Sequence, residues 1–453
     1  MSAGALPGFR DFYPETFAQR SWLFERWREA ARSFGFVEYD GPPLEPLDLY
    51  TRKSGDEIVG QLYNFTDKGG REISLRPEMT PTVARMVAAR ANALRKPVRW
   101  FSMPQLFRYE RQQKGRLREH FQLNVDIFGE ADVAADAELL AVACTVMRLC
   151  GLGPEDVRAR VSDRRLLAAV IRGLGIADTA TPAVFAAVDK IGRDSDDALL
   201  KRMGDAGVAR ESAERVLAVV RASDFDALAR DFAGDAEVEA ALARFAEYRA
   251  LLDAHGVLPY LQLDLSIVRG LAYYTGIVFE LFDARGEFRA ICGGGRYDNL
   301  LQALGGVDMP ALGFGMGDVV LGDLIVSRLA SGAKPPWADV NAPDIWLAAP
   351  EGESLLETIR AARALRECGV RVEYPLRAMS ASKQRKAAWS SGARLLVEPD
   401  GVPGDRRYRV KAVVDGDARE GRNLAQQFEG RSPTVDELVT ALKAGVGGAS
   451  DRP

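Results

Sequence analysis

The chain is poor in the two side chains that most often hold transition metals: among 453 residues there are two histidines, His120 and His255, and four cysteines. Cys144, Cys150, Cys292 and Cys368 are scattered without Cys-x-x-Cys spacing, which argues against a Cys/His zinc site and fits thiols kept reduced. Nowhere do about 18 apolar residues run unbroken, so no membrane-crossing helix is expected. The opening MSAGALPGFRDFYPE has neither the basic nor the apolar region of a secretory leader, and the expectation is a cytoplasmic, unanchored protein. Positive charge is also in deficit. With 60 Lys and Arg against 64 Asp and Glu, the net charge of -4 supplies no global field for nucleic acid, and any such binding must rest on local basic clusters. A hydrophobic content of 47% is ample for real cores, and the length predicts about three domains.

One local cluster stands out. The stretch LFRYERQQKGRLREHFQLNVDIFG, Leu106 to Gly129, carries Arg108, Arg111, Lys114, Arg116 and Arg118 within a short span. Its flanks favour extended structure and its middle, QQKG, is polar with a glycine, which predicts a hairpin with a positive loop. From His120 onward, Phe121, Leu123, Val125 and Ile127 alternate with His120, Gln122, Asn124 and Asp126. Period-two alternation predicts an apolar underside and a polar topside, a floor suited to a polar ligand.

Organisation along the chain follows composition. Residues 1–154 mix helix and strand: ETFAQRSWLFERWREAARSFG has apolar residues at helical spacing and stops at Gly35. Residues 155–256 turn to Ala, Leu, Arg and Asp, predicting a helical insertion, and strand alternation with glycine turns resumes over 257–328. The first domain is therefore expected to be discontinuous. A linker rich in Gly, Pro and Asn, 329–343, precedes 344–453, where DIWLAAP, a helix from Glu351 to Cys368, RVEYP, a helix near Ser382 to Ser391, ARLLVEP and YRVKAVV alternate. That pattern predicts a compact α/β unit with a parallel or mixed sheet and a flexible C-terminal tail.

Four separated patches place charged or amide groups beside glycines within apolar strands: SLRPEMTPTVAR, the hairpin, IVRGLAYYTGIVFE and CGGGRYDNLL. Singly each has an ordinary structural reading. Glu78 could cap a helix, Arg269 could pair at the surface, and Tyr273 and Tyr274 could be core aromatics. Together and in this order, with GFRDFYPE before and LGFGMG after, they resemble the histidyl-tRNA synthetases, of the class II aminoacyl-tRNA synthetase fold. FRYERQQKGRLREHFQ and VRGLAYYTG carry most of the likeness. The resemblance implies an α/β (α+β) fold: an antiparallel class II sheet with flanking helices (1–154 and 257–328), a helical insertion (155–256) and a C-terminal α/β anticodon-binding domain (344–453).

It also implies roles. Arg108 and Arg269 would hold the ATP α-phosphate as the histidine carboxylate attacks, with Arg116 near the phosphates; guanidinium groups suit such oxyanions. Glu78, Thr80 and Gln122 would bind the α-ammonium of histidine. Asp126 and Tyr274 would take the two imidazole nitrogens, Tyr273 would line the pocket and Tyr297 would close it. Lys114, Arg118, Arg377, Lys383, Arg385 and Lys386 would meet tRNA(His). ATP would be a substrate accompanied by Mg²⁺, no metal would be held by protein side chains, and the chain would be a homodimer through the GFRDFYPE region.

Departures from the family pattern are specific. Its last ATP motif ends in an arginine that packs on adenine and meets the γ-phosphate, and here Val320 stands in that place. Ala272 replaces an acid in GLDYY, and Asp126 stands where many relatives carry Glu. The alternative reading is a synthetase-like subunit that binds histidine and regulates an ATP phosphoribosyltransferase. Such paralogues generally lack the anticodon domain, whereas this chain retains Arg108, Arg116 and Arg269 and continues with a full α/β unit.

Overall fold

The computed structural model describes residues 4–51, 60–110, 115, 117–268, 273–330, 333–349, 351–352, 354–402, 405–413 and 425–446. The chain divides into two compact units, Met1–Phe12 with Leu23–Ala333, and Tyr13–Trp22 with Lys334–Pro453.

In the first unit, a short exposed strand β1 (Val37–Glu38) is followed by β2 (Leu44–Pro46), β3 (Tyr63–Thr66) and β4 (Glu72–Leu75). These last three form a separate antiparallel sheet in the order β2-β4-β3. The main sheet adds β5 (Val98–Ser102), β6 (Gln105–Phe107), β7 (Glu119–Phe128), β8 (Val157–Asp163), β9 (Leu261–Leu263), β10 (Ile277–Asp283), β11 (Cys292–Arg296) and β12 (Ala311–Gly317). Its nine strands run β1-β5-β7-β12-β11-β10-β8-β9, with β6 paired to β7. The pairings are antiparallel except at the two edges, where β1 meets β5 and β8 meets β9 in parallel. The expected antiparallel sheet with flanking helices is present.

One local expectation needs correction, and one strand lies deeper than its alternation alone implies. Residues 157–163, read as the start of the helical stretch, are strand β8, paired along its length with β10. The stretch VRARVSD puts Val157, Ala159 and Val161 on a buried face, and that period-two pattern overrides the Ala/Arg composition. Helices begin at Arg164, where Asp163 caps by accepting from the Arg165 N–H. Strand β7 is the second case: from Leu123 to Phe128 it is buried on both faces. Strands β5 and β12 pair its two edges and the helices Val133–Leu149 and Asp318–Arg328 pack on it, so Asn124 and Asp126 of its polar row are buried.

The helices from Arg164–Gly173 to Ala236–Ala254 close around their own apolar core, built from Leu166, Val170, Leu199, Val216 and Val238 among others. Leu265 and Val268 belong to the same core. Ser223 ends the helix Arg210–Ala222 in a left-handed conformation, φ 45°, and its hydroxyl accepts the Leu265 N–H at 2.9 Å. The segment that leads directly into Arg269 is thus anchored by the helical stretch.

The second unit holds β13 (Ile345–Leu347), β14 (Val372–Glu373), β15 (Leu395–Asp400) and β16 (Arg407–Ala412) in the order β14-β13-β15-β16. The first three are parallel and β16 is antiparallel, a mixed sheet. The helix expected from Glu351 to Cys368 spans Leu356–Arg366, and the next spans Ala381–Ser390. Ile345, Leu347, Leu365, Val397 and Leu438 form the centre of its core.

Candidate functional site

Strands β6 and β7 form the expected hairpin, with Phe107 opposite Glu119. Arg108 sits where β6 enters the loop. Its Nε donates to the Pro77 carbonyl at 2.9 Å, and the Phe107 N–H donates to the Arg76 carbonyl at 3.0 Å. These bonds tie the segment RPEMT to the end of β6, with Glu78, buried, next in the chain to Pro77 and Thr80 the first residue of the helix Thr80–Arg90. Nη1 of Arg108 is 3.9 Å from Glu110, a distant ionic contact that leaves the fork geometry available to an anion.

Along β7 the polar row points to one side. Gln122 pairs with Gly317 of β12 and lays its amide over Gly315, where a Cβ would come within 2.6 Å of its Cδ, and Asp126 lies across Gly313, where a Cβ would overlap its Oδ1. The glycines of GFGMG therefore make room for the amide and the carboxylate. His120 begins the row, and burial, then the charges of Arg108 and Arg10, push its pKa down to about 3, so its ring is neutral.

Asp126 is almost fully buried, and Tyr297 donates a short hydrogen bond to its Oδ1. Burial pushes the Asp126 carboxyl up to about 7, against the lowering effect of that bond. Tyr297 is packed edge-on to Tyr273, with ring centroids 5.9 Å apart, and Tyr273 lies 5.0 Å from Tyr274. A chain of rings thus connects Tyr274 to Asp126. Tyr297, expected to close the pocket, has its hydroxyl on Asp126. Tyr39, which the motifs did not indicate, also faces this carboxylate, whose charge adds to burial in raising the phenol.

The two motifs that carry these tyrosines are bolted together. Arg296, fully buried, makes three bonds to the Asp136 carboxylate, at 3.1, 3.1 and 2.6 Å, and one to the Glu130 carbonyl at 2.8 Å. Its own carbonyl accepts the Thr275 N–H at 2.7 Å, and the Tyr297 N–H donates to the Ala311 carbonyl at 2.7 Å. A buried guanidinium with its partners satisfied holds the backbone on both sides of it.

The opening segment has a role at this site that its sequence did not disclose. The Gly8 carbonyl accepts from the Arg118 and Glu119 N–H groups, at 3.0 and 3.3 Å, and Phe9 packs 6.4 Å from Phe107. Gly8 has φ +88° and its absent side chain leaves space for Arg118. Arg10 reaches Glu119 through Nε at 2.6 Å and Asp318 through Nη1 at 2.9 Å. Only the presence of one cation near two distant acids could have signalled this.

Of the remaining predicted residues, Arg118 lies over the Tyr109 ring, 4.1 Å from its centroid. Val320 occupies the first turn of the helix Asp318–Arg328, its Cγ2 3.4 Å from where a Cβ on Gly115 would stand, so it faces the hairpin loop with an apolar side chain. Arg377, Lys383, Arg385 and Lys386 are exposed in the second unit, and Arg385 is paired with Glu398 at 2.7 Å. Lys114, Arg116, Arg269 and Ala272 lie outside the described residues. Among the described residues no helix is long and apolar enough to cross a membrane.

Comparison with known proteins gives the family. The family model for histidyl-tRNA synthetase matches residues 8–317. A histidine--tRNA ligase from Opitutus terrae is 46% identical over 399 residues, 87% of this chain and 90% of the relative. One from Thermoplasma volcanium is 37% identical over 444 residues, 98% of this chain and 99% of the relative. In fold, the chain is similar to a histidyl-tRNA synthetase from Nostoc sp. PCC 7120, with a TM-score of 0.76 at 20% identity, covering 94% of this chain and 100% of that one. With a sheet that gathers Arg108, Gln122, Asp126 and the paired tyrosines, and with relatives this close over nearly its whole length, the chain belongs to the histidyl-tRNA synthetase family.

Proposed function

We infer that this chain is an ATP-dependent ligase that joins histidine to ATP, releasing pyrophosphate and leaving histidyl-adenylate, and then passes the histidyl group to the terminal ribose of tRNA(His). The observation that carries the reading is a buried carboxylate, Asp126, at the end of a polar row that begins beside Arg108.

Arg108 takes the α-phosphate through its guanidinium, with Arg269 as the second cation and Arg116 nearer the outer phosphates. Charge spreads over the phosphorus as the histidine carboxylate attacks, and preorganised donors lower that barrier most. Holding two substrates in register contributes the rest. Glu78, Thr80 and Gln122 bind the α-ammonium; Asp126 and Tyr274 read the imidazole, with Tyr273 against it. A site built to hydrogen-bond both ring nitrogens rejects side chains lacking them by large factors. Mg²⁺ would accompany ATP and would supply charge neutralisation at the phosphates. Among the described residues no group of three acidic, His or Cys side chains forms a cage for it.

The helical stretch from Arg164 to Ala254 is an insertion in the catalytic domain, and the second unit binds the anticodon, with Lys383 and Lys386 toward RNA and Lys114, Arg118, Arg377 and Arg385 as further contacts. Exposed apolar side chains at Leu6, Val37, Leu44 and Phe65 support a homodimer, and the cytoplasm is its place of work. The deciding assay is histidine-dependent exchange of pyrophosphate into ATP, followed by charging of tRNA(His). Both reactions are expected. Histidine binding with neither reaction would favour the regulatory subunit.

A further inference from the structure

The Tyr297 hydroxyl has a partner before any substrate arrives. It donates to Oδ1 of Asp126, while Oδ2 carries no hydrogen bond among the described residues. Gly313, directly opposite Asp126 on β12, leaves the volume into which Oδ1 turns, since any Cβ there would overlap it. Tyr297 has little freedom to leave. Its backbone N–H is held by the Ala311 carbonyl, its predecessor Arg296 is locked onto Asp136, and its ring is packed against Tyr273.

We propose that Tyr297 is a positioning residue which, with Gly313, fixes the Asp126 carboxylate so that Oδ2 alone is presented to an imidazole N–H of bound histidine. A carboxylate on a short side chain can rotate about its last bond and offer either oxygen; a donor on one oxygen removes that choice. The hydroxyl also favours the charged form, because a phenol O–H donates to a carboxylate far better than to a carboxylic acid. Two phenols face Asp126, Tyr297 and Tyr39, and of these Tyr297 makes the hydrogen bond. The bond therefore sets both the direction of the acceptor and the pH at which it stops accepting. This inference rests on Asp126 being the imidazole acceptor.

The test is pyrophosphate exchange by Tyr297→Phe, Asp126→Asn and the unaltered protein, with KM for histidine and for ATP followed from about pH 5.5 to 9. The Phe variant should raise KM for histidine by about tenfold, leave KM for ATP within about twofold, and move the acid limb of the histidine profile to higher pH, since the group that favoured the carboxylate is gone. A limb that stays in place, or KM values that rise together for both substrates, overturns the proposal. Asp126→Asn separates the two levels: unchanged KM for histidine in that variant refutes the role of Asp126 itself. If Tyr297→Phe does not fold, a structure of the unaltered protein with histidine decides. Tyr297 still on Oδ1 with a ring nitrogen on Oδ2 supports the inference, and Tyr297 moved onto the ring contradicts it.

Discussion

Nη1 of Arg10 lies 2.9 Å from Oδ2 of Asp318, joining the opening segment to the helix that carries Val320. The same guanidinium holds Glu119, whose other oxygen accepts from Gln105 at 2.8 Å, and the second oxygen of Asp318 accepts the Phe121 N–H at 3.0 Å. Both acids are buried. One cation between two carboxylates is structurally committed, and its removal strands both.

Arg10→Ala should therefore lower stability by about 3–5 kcal/mol, the usual result of leaving a buried charge unpaired. Denaturant unfolding measures it, and a loss below about 1 kcal/mol would mean the acids relax to water instead.

Arg108→Ala should reduce kcat/KM for pyrophosphate exchange by about a hundredfold or more, with histidine affinity changed less than about threefold. Equilibrium binding of histidine beside exchange kinetics separates the two quantities. Weaker histidine binding with normal turnover would remove Arg108 from the phosphate.

Asp126→Asn should stabilise the protein at pH 8 while raising KM for histidine in pyrophosphate exchange. The folded carboxyl titrates near 7 against an ordinary 3.8, so between these values the native state binds more protons than the unfolded one and stability falls as pH rises. Above pH 7 the full deficit applies, at most about 4 kcal/mol. Asn keeps an oxygen for Tyr297 and carries no charge. Melting temperatures at pH 5 and pH 8 give the comparison: a larger gain at pH 8 than at pH 5 is expected, and an equal gain at both would assign the effect to packing.

Lys383→Ala with Lys386→Ala should raise KM for tRNA several-fold and reduce the salt dependence of charging by about one per lysine, with exchange unaffected. Unchanged charging at every salt concentration would place the RNA elsewhere.

Much of the site was legible because its chemistry is local in sequence. FRYERQQKGRLREHFQ and RPEMT each spell a whole structural piece, and Phe107 does pair with Glu119 as the hairpin reading required. What escaped was long-range pairing. The partners of Arg10 lie at Glu119 and Asp318, and those of Arg296 at Asp136 and Glu130, so nothing near either arginine in the chain announces its use. The depth of the polar row has the same cause. Gln122, Asn124 and Asp126 alternate as in any two-faced strand, and Asn124 and Asp126 are buried because β5 and β12 pair the edges of β7 and the helices Val133–Leu149 and Asp318–Arg328 pack on it, neighbours that a single strand does not disclose. The alternation in VRARVSD was legible, and composition was allowed to outweigh it.

A phosphate site at the end of β6 and an imidazole site on β7 must adjoin for one adenylate to fill both. A crystal structure with a non-hydrolysable histidyl-adenylate analogue tests this most directly. Arg108 and Arg269 are expected within about 3 Å of the phosphate oxygens, with Oδ2 of Asp126 on a ring nitrogen. An analogue whose phosphate meets neither arginine, or whose ring turns away from Asp126, would contradict it.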